Sequence, residues 1–212
     1  LKSERLKTEL ITNVSHDIKT PLTSIVNYVD LLQRPHTPEQ EAEYLEVLAR
    51  QSRKLKKLTE DLVEMSKASV GSLPCHPAPR RVKELVEQAV GEYADRLAAA
   101  RLEPVLSLPE DGVACMADGA LIWRVLDNLL GNACKYAQPG TRLYIGGEAD
   151  GRTVTLSFKN ISRDALNISA DELMERFVRG DASRTTEGSG LGLNIAKSLM
   201  ELQGGSLSLS ID

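Results

Sequence analysis

No segment of this 212-residue sequence is apolar for long enough to cross a bilayer, and none has the layout of a secretory leader. Basic residues are in slight deficit, 26 Lys and Arg against 30 Asp and Glu, for a formal charge of -4. That balance provides no global positive field for nucleic acid or for an anionic membrane surface. Cysteine is scarce. Cys75, Cys115 and Cys134 are odd in number and lack metal-site spacing, so they read as free thiols in a reducing compartment. Internal repeats and low-complexity tracts are also missing. The length allows one large domain or two small ones.

What is present divides into two patterns. Leu6, Leu10, Val14, Ile18, Leu22, Ile25, Val29 and Leu32 recur at three- and four-residue steps, which predicts one amphipathic helix over 1–33. The stretch Q-R-P-H-T-P-E-Q ends it. Thr37 with Gln40 three residues later makes a capping box, and Pro38 fills the first helical position. A second helix follows to about Ala68, with Tyr44, Val47, Leu48, Leu55, Leu58, Leu62 and Met65 on its inner side. Such a hairpin cannot bury both stripes alone, and pairing with a second copy would complete a four-helix bundle.

The segment V-G-S-L-P-C-H-P-A-P reads as a linker. After it the pattern is mixed: a helix over Val82–Leu102, strands at Pro104–Leu108 and Val113–Ala117, and a helix from Gly119 to Ala137. Alternating strands at Leu143–Glu148 and Thr153–Lys159 are joined by A-D-G-R as a hairpin. A short helix at Ala170–Arg176, a polar loop over Arg179–Ser189, a helix over Gly190–Gln203 and a strand at Ser206–Ile211 complete the pattern. Antiparallel strands covered by helices on one face predict an α/β sandwich, and the whole chain falls in the α+β class. The expected division is a helical hairpin over 1–69, a linker over 70–79 and a second domain over 80–212.

Three short motifs carry chemistry. In S-H-D-I-K-T-P-L, His16 sits about 200° around the helix from the apolar stripe, at about 100° per residue. A lone surface histidine is usually ordinary polar decoration, but its neighbours here are unusual. Asp17 can act as base or orient the imidazole. Pro21 deprives the carbonyl of Asp17 of its helical donor and favours a bend. In D-N-L-L-G-N-A-C-K-Y-A, Asn128, Asn132, Lys135 and Tyr136 share one helix face, while Leu126, Leu129, Leu130 and Ala133 form the other. Amide oxygens can ligate Mg²⁺ and a lysine can meet phosphate. Asparagine is a poor helix former, so two in mid-helix need a reason. Trp123, earlier on this helix, reads as core. In G-S-G-L-G-L, Gly188, Gly190 and Gly192 allow close backbone approach ahead of a helix whose free amides suit a polyphosphate.

In this order, the three motifs resemble the catalytic core of a two-component sensor histidine kinase, over nearly the whole chain. The resemblance implies a dimerisation and phosphoacceptor hairpin followed by an ATP-binding domain. It implies ATP and Mg²⁺ as cofactors, a homodimer, and a response-regulator receiver domain as partner. Nucleic acid is not an expected partner, and a membrane is expected only through segments outside this sequence. It places His16 as phosphoacceptor and Thr20 as the residue orienting a water for dephosphorylation of the regulator. Asn132 would hold Mg²⁺, Asn128 would line the phosphates, Lys135 would contact phosphate and Tyr136 would lie against the nucleotide. E-R-F-V-R-G-D-A-S-R resembles the family's phenylalanine box and lid, with Phe177 as anchor and Arg179 or Arg184 reaching the γ-phosphate. Gly188, Gly190, Leu191 and Gly192 would bind the nucleotide where the following helix begins.

One box departs from the pattern. Where the family carries D-x-G-x-G, this chain reads N-I-S-R-D, with Asn160 as a neutral acceptor for adenine and Ser162 in place of the first glycine. Two other readings follow from the same residues. A gyrase- or chaperone-type ATPase shares the nucleotide fold but places a glutamate base where this chain has Asn128. A catalytically silent dimeric adaptor would explain the altered adenine box, but leaves His16, Asn132 and the glycines unexplained. The chain opens at Leu1 inside charged, helix-prone sequence, as a segment excised from a longer protein would. The resemblance implies that a sensor and a membrane anchor precede it, which would make it the cytoplasmic portion of a membrane-anchored bacterial protein.

Overall fold

A computed structural model describes residues 2–69, 72–165, 173 and 191–211, with every side chain among them except those of 2–14, 16 and 69. The chain divides into two compact units, Leu1–Ser66 and Lys67–Asp212. No helix among the described residues is long and apolar enough to cross a membrane.

The first unit is a hairpin of α1 (Lys2–Leu32) and all but the last residues of α2 (Pro38–Ser69). Its turn is closed by the capping box: the Thr37 amide donates to Gln40 Oε1 at 2.9 Å, and the Gln40 amide to Thr37 Oγ1 at 3.3 Å. Just beyond it, Tyr28 and Tyr44 meet edge-on with centroids 5.5 Å apart. His36 Nδ1 donates to the Arg34 carbonyl at 2.6 Å. Pro21 lies inside α1 and is fully buried, as is Leu58 on α2. Several large apolar side chains stay open in a single copy, among them Leu22 at 47 %, Val26 at 54 % and Val63 at 52 % exposure. Leu22 and Val29 of the expected stripe are therefore not covered within one hairpin.

In the second unit, β1 (Ala78–Arg81) pairs antiparallel with β3 (Ala114–Ala117). The end of the expected linker is thus a strand. Pro79 is tolerated there because the ribbon has two edges. A second sheet has the order β2 (Glu103–Ser107), β4 (Arg142–Ala149), β5 (Val154–Lys159). β4 and β5 are antiparallel, but β2 runs parallel to β4. The all-antiparallel expectation fails because β3 and α5 (Gly119–Tyr136) lie between those strands and form the crossover a parallel pair requires. In the β4–β5 turn, Asp150 Oδ1 accepts the amides of Arg152 and Thr153, and Gly151 takes φ +87°.

The helix expected over Val82–Leu102 is broken into α3 (Val82–Glu92) and α4 (Ala94–Ala99) at Tyr93, whose φ and ψ are −92° and 1°. The core lies between helices and sheet. Leu143 and Ile145 of β4 have no exposed surface, and Val86, Leu97, Leu126 and Leu130 close over them; Trp123 packs against this core while half-buried. Burial of such side chains contributes about 1.5–3 kcal/mol each. α6 (Gly192–Leu202) packs along α5 through buried Leu191, Ile195 and Leu199. Residues 205–211 form no ladder among the described residues, contrary to the strand expected over 206–211. Leu207 and Leu209 are half-buried between exposed neighbours, so the alternation is present without the pairing. The short helix expected at 170–176 lies outside the described residues apart from position 173.

Candidate functional site

α5 starts from a well-satisfied cap. Asp118 Oδ1 accepts the amides of Ala120 at 2.9 Å and Leu121 at 3.2 Å, while Oδ2 accepts the His76 amide at 2.8 Å. The Asp118 amide donates to Gln203 Oε1 at 2.8 Å, beyond the end of α6. The His76 amide, followed by that of Leu121, holds the Asp118 carboxyl below the usual range. Through its side chain and its main-chain amide together, Asp118 thus joins the start of α5, the end of α6 and the segment ahead of β1.

The apolar stripe of α5 faces the core, and this turns its polar face toward the start of α6. Asn128 Nδ2 donates to the Arg124 carbonyl at 2.9 Å, which leaves Oδ1 directed away from its own helix. A Cβ placed on Gly192 would lie 2.9 Å from Asn128 Oδ1 and 3.8 Å from Asn132 Oδ1. Only glycine lets the first turn of α6 approach this closely. Two neutral amide oxygens therefore converge where a helix begins, a setting suited to a hard cation with a polyphosphate. Among the described residues no cluster of three His, Cys, Asp or Glu could hold a metal. The protein's share of a cation shell here would rest on amide oxygen.

At the far end of α5, Lys135 is exposed and Tyr136 half-buried. The chain after β5 is tied to this end: the Gln138 amide donates to the Ile161 carbonyl at 2.7 Å, and the Arg163 amide to the Tyr136 carbonyl at 2.9 Å. An isolated bridge pairs Ala137 with Ser162. Asn160 stands exposed just ahead of this junction. Ser162 has no need of a glycine's conformational freedom: its φ is not positive, and its hydroxyl donates to the Asp164 carbonyl at 2.7 Å.

The structure therefore brings Asn128, Asn132, Leu191 and Gly192 together, and it joins Tyr136 to the Asn160–Ser162 segment. Phe177, Arg179, Arg184, Gly188 and Gly190 lie outside the described residues. On the hairpin, His16 falls within α1, with its side chain outside the described set; Ser15 and Thr20 are exposed and Asp17 is half-buried.

Sequence reasoning did not single out Asp127 and Tyr93. The Tyr93 hydroxyl donates to Asp127 Oδ1 at 2.6 Å, beside Asn128. The one available signal was a glycine, Gly131, in the middle of α5.

Two family models match. One, described as the His Kinase A (phospho-acceptor) domain, covers residues 6–71. The other, described as the histidine kinase-, DNA gyrase B- and HSP90-like ATPase, covers 117–212. The sensor protein VanS of Enterococcus faecium is 30 % identical over 97 % of this chain and 54 % of its own length. The signal transduction histidine-protein kinase BaeS of Escherichia coli K12 is 30 % identical over 96 % of this chain and 44 % of its own. The chain thus spans about half the length of the curated relatives it matches. Among solved structures, the histidine kinase ThkA in complex with the response regulator protein TrrA superposes with a TM-score of 0.71. It is 20 % identical and covers 96 % of this chain and 58 % of that one, a likeness of fold.

Proposed function

The chain belongs to the two-component sensor histidine kinases, whose catalytic core it carries, and we propose that it phosphorylates its own His16 from Mg-ATP. The phosphoryl group then passes to an aspartate of a response regulator. The observation that carries this reading is the convergence of Asn128 and Asn132 on Gly192, in a chain whose first helix presents S-H-D-I-K-T-P-L.

In the proposed reaction an imidazole nitrogen of His16 attacks the γ-phosphorus in line, the bond from that phosphorus to the bridging oxygen breaks, and ADP leaves. Asp17 orients the ring or takes its proton. Asn132 holds Mg²⁺, which neutralises charge on the phosphates, and Asn128 and Lys135 line them. Tyr136 and Asn160 meet the base, and Arg179 or Arg184 supplies charge from the lid. Catalysis of this kind is positioning plus charge neutralisation. The receiver aspartate then attacks phosphohistidine and regenerates the imidazole. A second copy of the hairpin covers Leu22, Val26 and Val63, and an upstream anchor holds the assembly at a membrane. Asn128, standing where a glutamate base would activate water, disfavours a gyrase- or chaperone-type ATPase. Incubation with Mg-ATP tests the proposal: acid-labile, alkali-stable phosphate on the protein is expected, and its absence removes the kinase reading.

Thr20 is exposed one turn beyond His16. Thr20→Ala is expected to spare autophosphorylation and to slow dephosphorylation of the cognate regulator, because only the water-orienting hydroxyl is lost. Equal phosphatase rates for both proteins against an authentic partner would remove Thr20 from the site.

Asn160 offers adenine a neutral acceptor where relatives use a carboxylate. Hydrogen bonds to charged groups contribute about 1.5–3 kcal/mol against about 0.5–1.5 for neutral ones, so Asn160→Asp is expected to tighten ATP binding several-fold. Asn160→Leu is expected to weaken it and erode the preference over GTP. Calorimetric titration with both nucleotides decides, and unchanged affinity and preference in the leucine variant would show that Asn160 does not read the base.

A further inference from the structure

Between its two site amides, α5 carries Gly131, which is buried and costs about 1 kcal/mol relative to alanine in a helix interior. Two side chains lie over it. A Cβ at 131 would sit 3.4 Å from the Tyr93 hydroxyl and 3.8 Å from Arg96 Nη2, so an alanine would just touch them and a larger residue would displace them. Across this gap the Tyr93 hydroxyl donates to Asp127 Oδ1 at 2.6 Å, with the Asp127 main-chain oxygen at 2.9 Å as a second acceptor. The other carboxylate oxygen of Asp127 is 3.4 Å from Arg124 Nη1. Arg124 in turn accepts Asn128 Nδ2 on its carbonyl at 2.9 Å. The Arg96 guanidinium closes the far side, 4.2 Å above the Tyr93 ring.

These contacts all act on one turn of α5. Asp127 is gripped from outside the helix by Tyr93 and from within it by Arg124. Asn128, the next residue, has its amide nitrogen committed to the same Arg124 and its oxygen left facing Gly192. Tyr93 marks the break between α3 and α4, and its ring is 4 % exposed, so it has little freedom to move. Burial first, then the Asp127 carboxylate, push the Tyr93 hydroxyl well above its ordinary value, so it remains a donor throughout the working range. A loose amide would have to be ordered when phosphate arrives, and a held one is ordered already.

We propose that Tyr93 and Asp127 are positioning residues that fix the turn of α5 presenting Asn128 Oδ1 to the phosphates of the nucleotide. The proposal rests on the nucleotide reading above and adds what holds its phosphate-lining amide in place. Tyr93→Phe keeps the ring and its packing and removes only the donor. It is expected to weaken Mg-ATP binding about three- to tenfold, the loss of one hydrogen bond's preorganisation. Adenosine, which has no phosphates, should bind Tyr93→Phe and wild type alike in ligand-observed NMR. Asp127→Asn keeps an acceptor for the hydroxyl and should retain most of the affinity. Asp127→Ala should match Tyr93→Phe, and the double variant should add nothing further. If Tyr93→Phe binds Mg-ATP like wild type, or loses adenosine and Mg-ATP affinity in equal measure with a lowered melting temperature, the contact serves stability alone and the inference falls. Wild-type protein that fails to bind Mg-ATP would instead take down the nucleotide reading, before any variant is compared.

Discussion

His16→Gln is expected to bring acid-labile phosphate below detection while the protein stays folded, dimeric and able to bind Mg-ATP. Glutamine is a good helix former, so α1 should persist through position 16. Its amide nitrogen has no lone pair free for attack on phosphorus, so the nucleophile is lost, and a neighbouring hydroxyl such as Ser15 or Thr20 would give an acid-stable ester instead. Position 16 lies off the apolar stripe, and its neighbours Ser15, Lys19 and Thr20 are exposed. A change there should cost no more than about 0.5 kcal/mol of stability, and nucleotide affinity should stay within about twofold. The effect is thus all-or-none in labelling and nearly silent in light scattering and calorimetry. Phosphate accepted from ATP by the variant, with the same acid lability, would mean that another side chain is the acceptor and that the central assignment is wrong.

Residues with local causes were the legible ones. Thr37 and Gln40 sit three apart, and their reciprocal bonds need nothing from the rest of the molecule. The three-and-four spacing on α5 puts Leu126 and Leu130 in the core and, on the opposite side, Asn128 and Asn132 against α6. What the pattern did not carry depends on partners distant in the chain. The break at Tyr93 follows Gly91, but a single glycine in a helical pattern does not by itself mark an end, and the group the Tyr93 hydroxyl reaches, Asp127, is 34 positions away. The direction of β2 depends on what separates it from β4, and alternation within a strand says nothing about that. Leu207 and Leu209 alternate as a strand would, yet alternation specifies a buried face rather than a paired backbone. Glycine at 192 is expected both to allow close backbone approach and to permit a positive φ, and only the first is used. In the folded unit its role is closeness, since it has no positive φ and a Cβ would strike Asn128.

Asn132→Ala is expected to have the opposite signature to His16→Gln: Mg-ATP binding lost, phosphoacceptor kept. Interaction of an amide oxygen with a charged partner contributes about 1.5–3 kcal/mol, so affinity should fall roughly 10- to 100-fold in the presence of magnesium. The fold should not suffer. Alanine replaces a poor helix former inside α5, where propensity favours it by up to about 0.7 kcal/mol, and Asn132 is half-buried rather than in the core. An unchanged or slightly raised melting temperature beside the lost affinity separates removal of a ligand from damage to the domain. Mixing the two variants in one heterodimer then places an intact donor site on one protomer and an intact acceptor on the other. Label recovered on the Asn132→Ala protomer reports transfer between protomers, and label absent from the mixture reports transfer within one. Either result requires that each variant is defective alone and for a different reason. An Asn132→Ala protein that binds Mg-ATP with wild-type affinity would remove Asn132 from the metal position and leave its approach to Gly192 a matter of helix packing only.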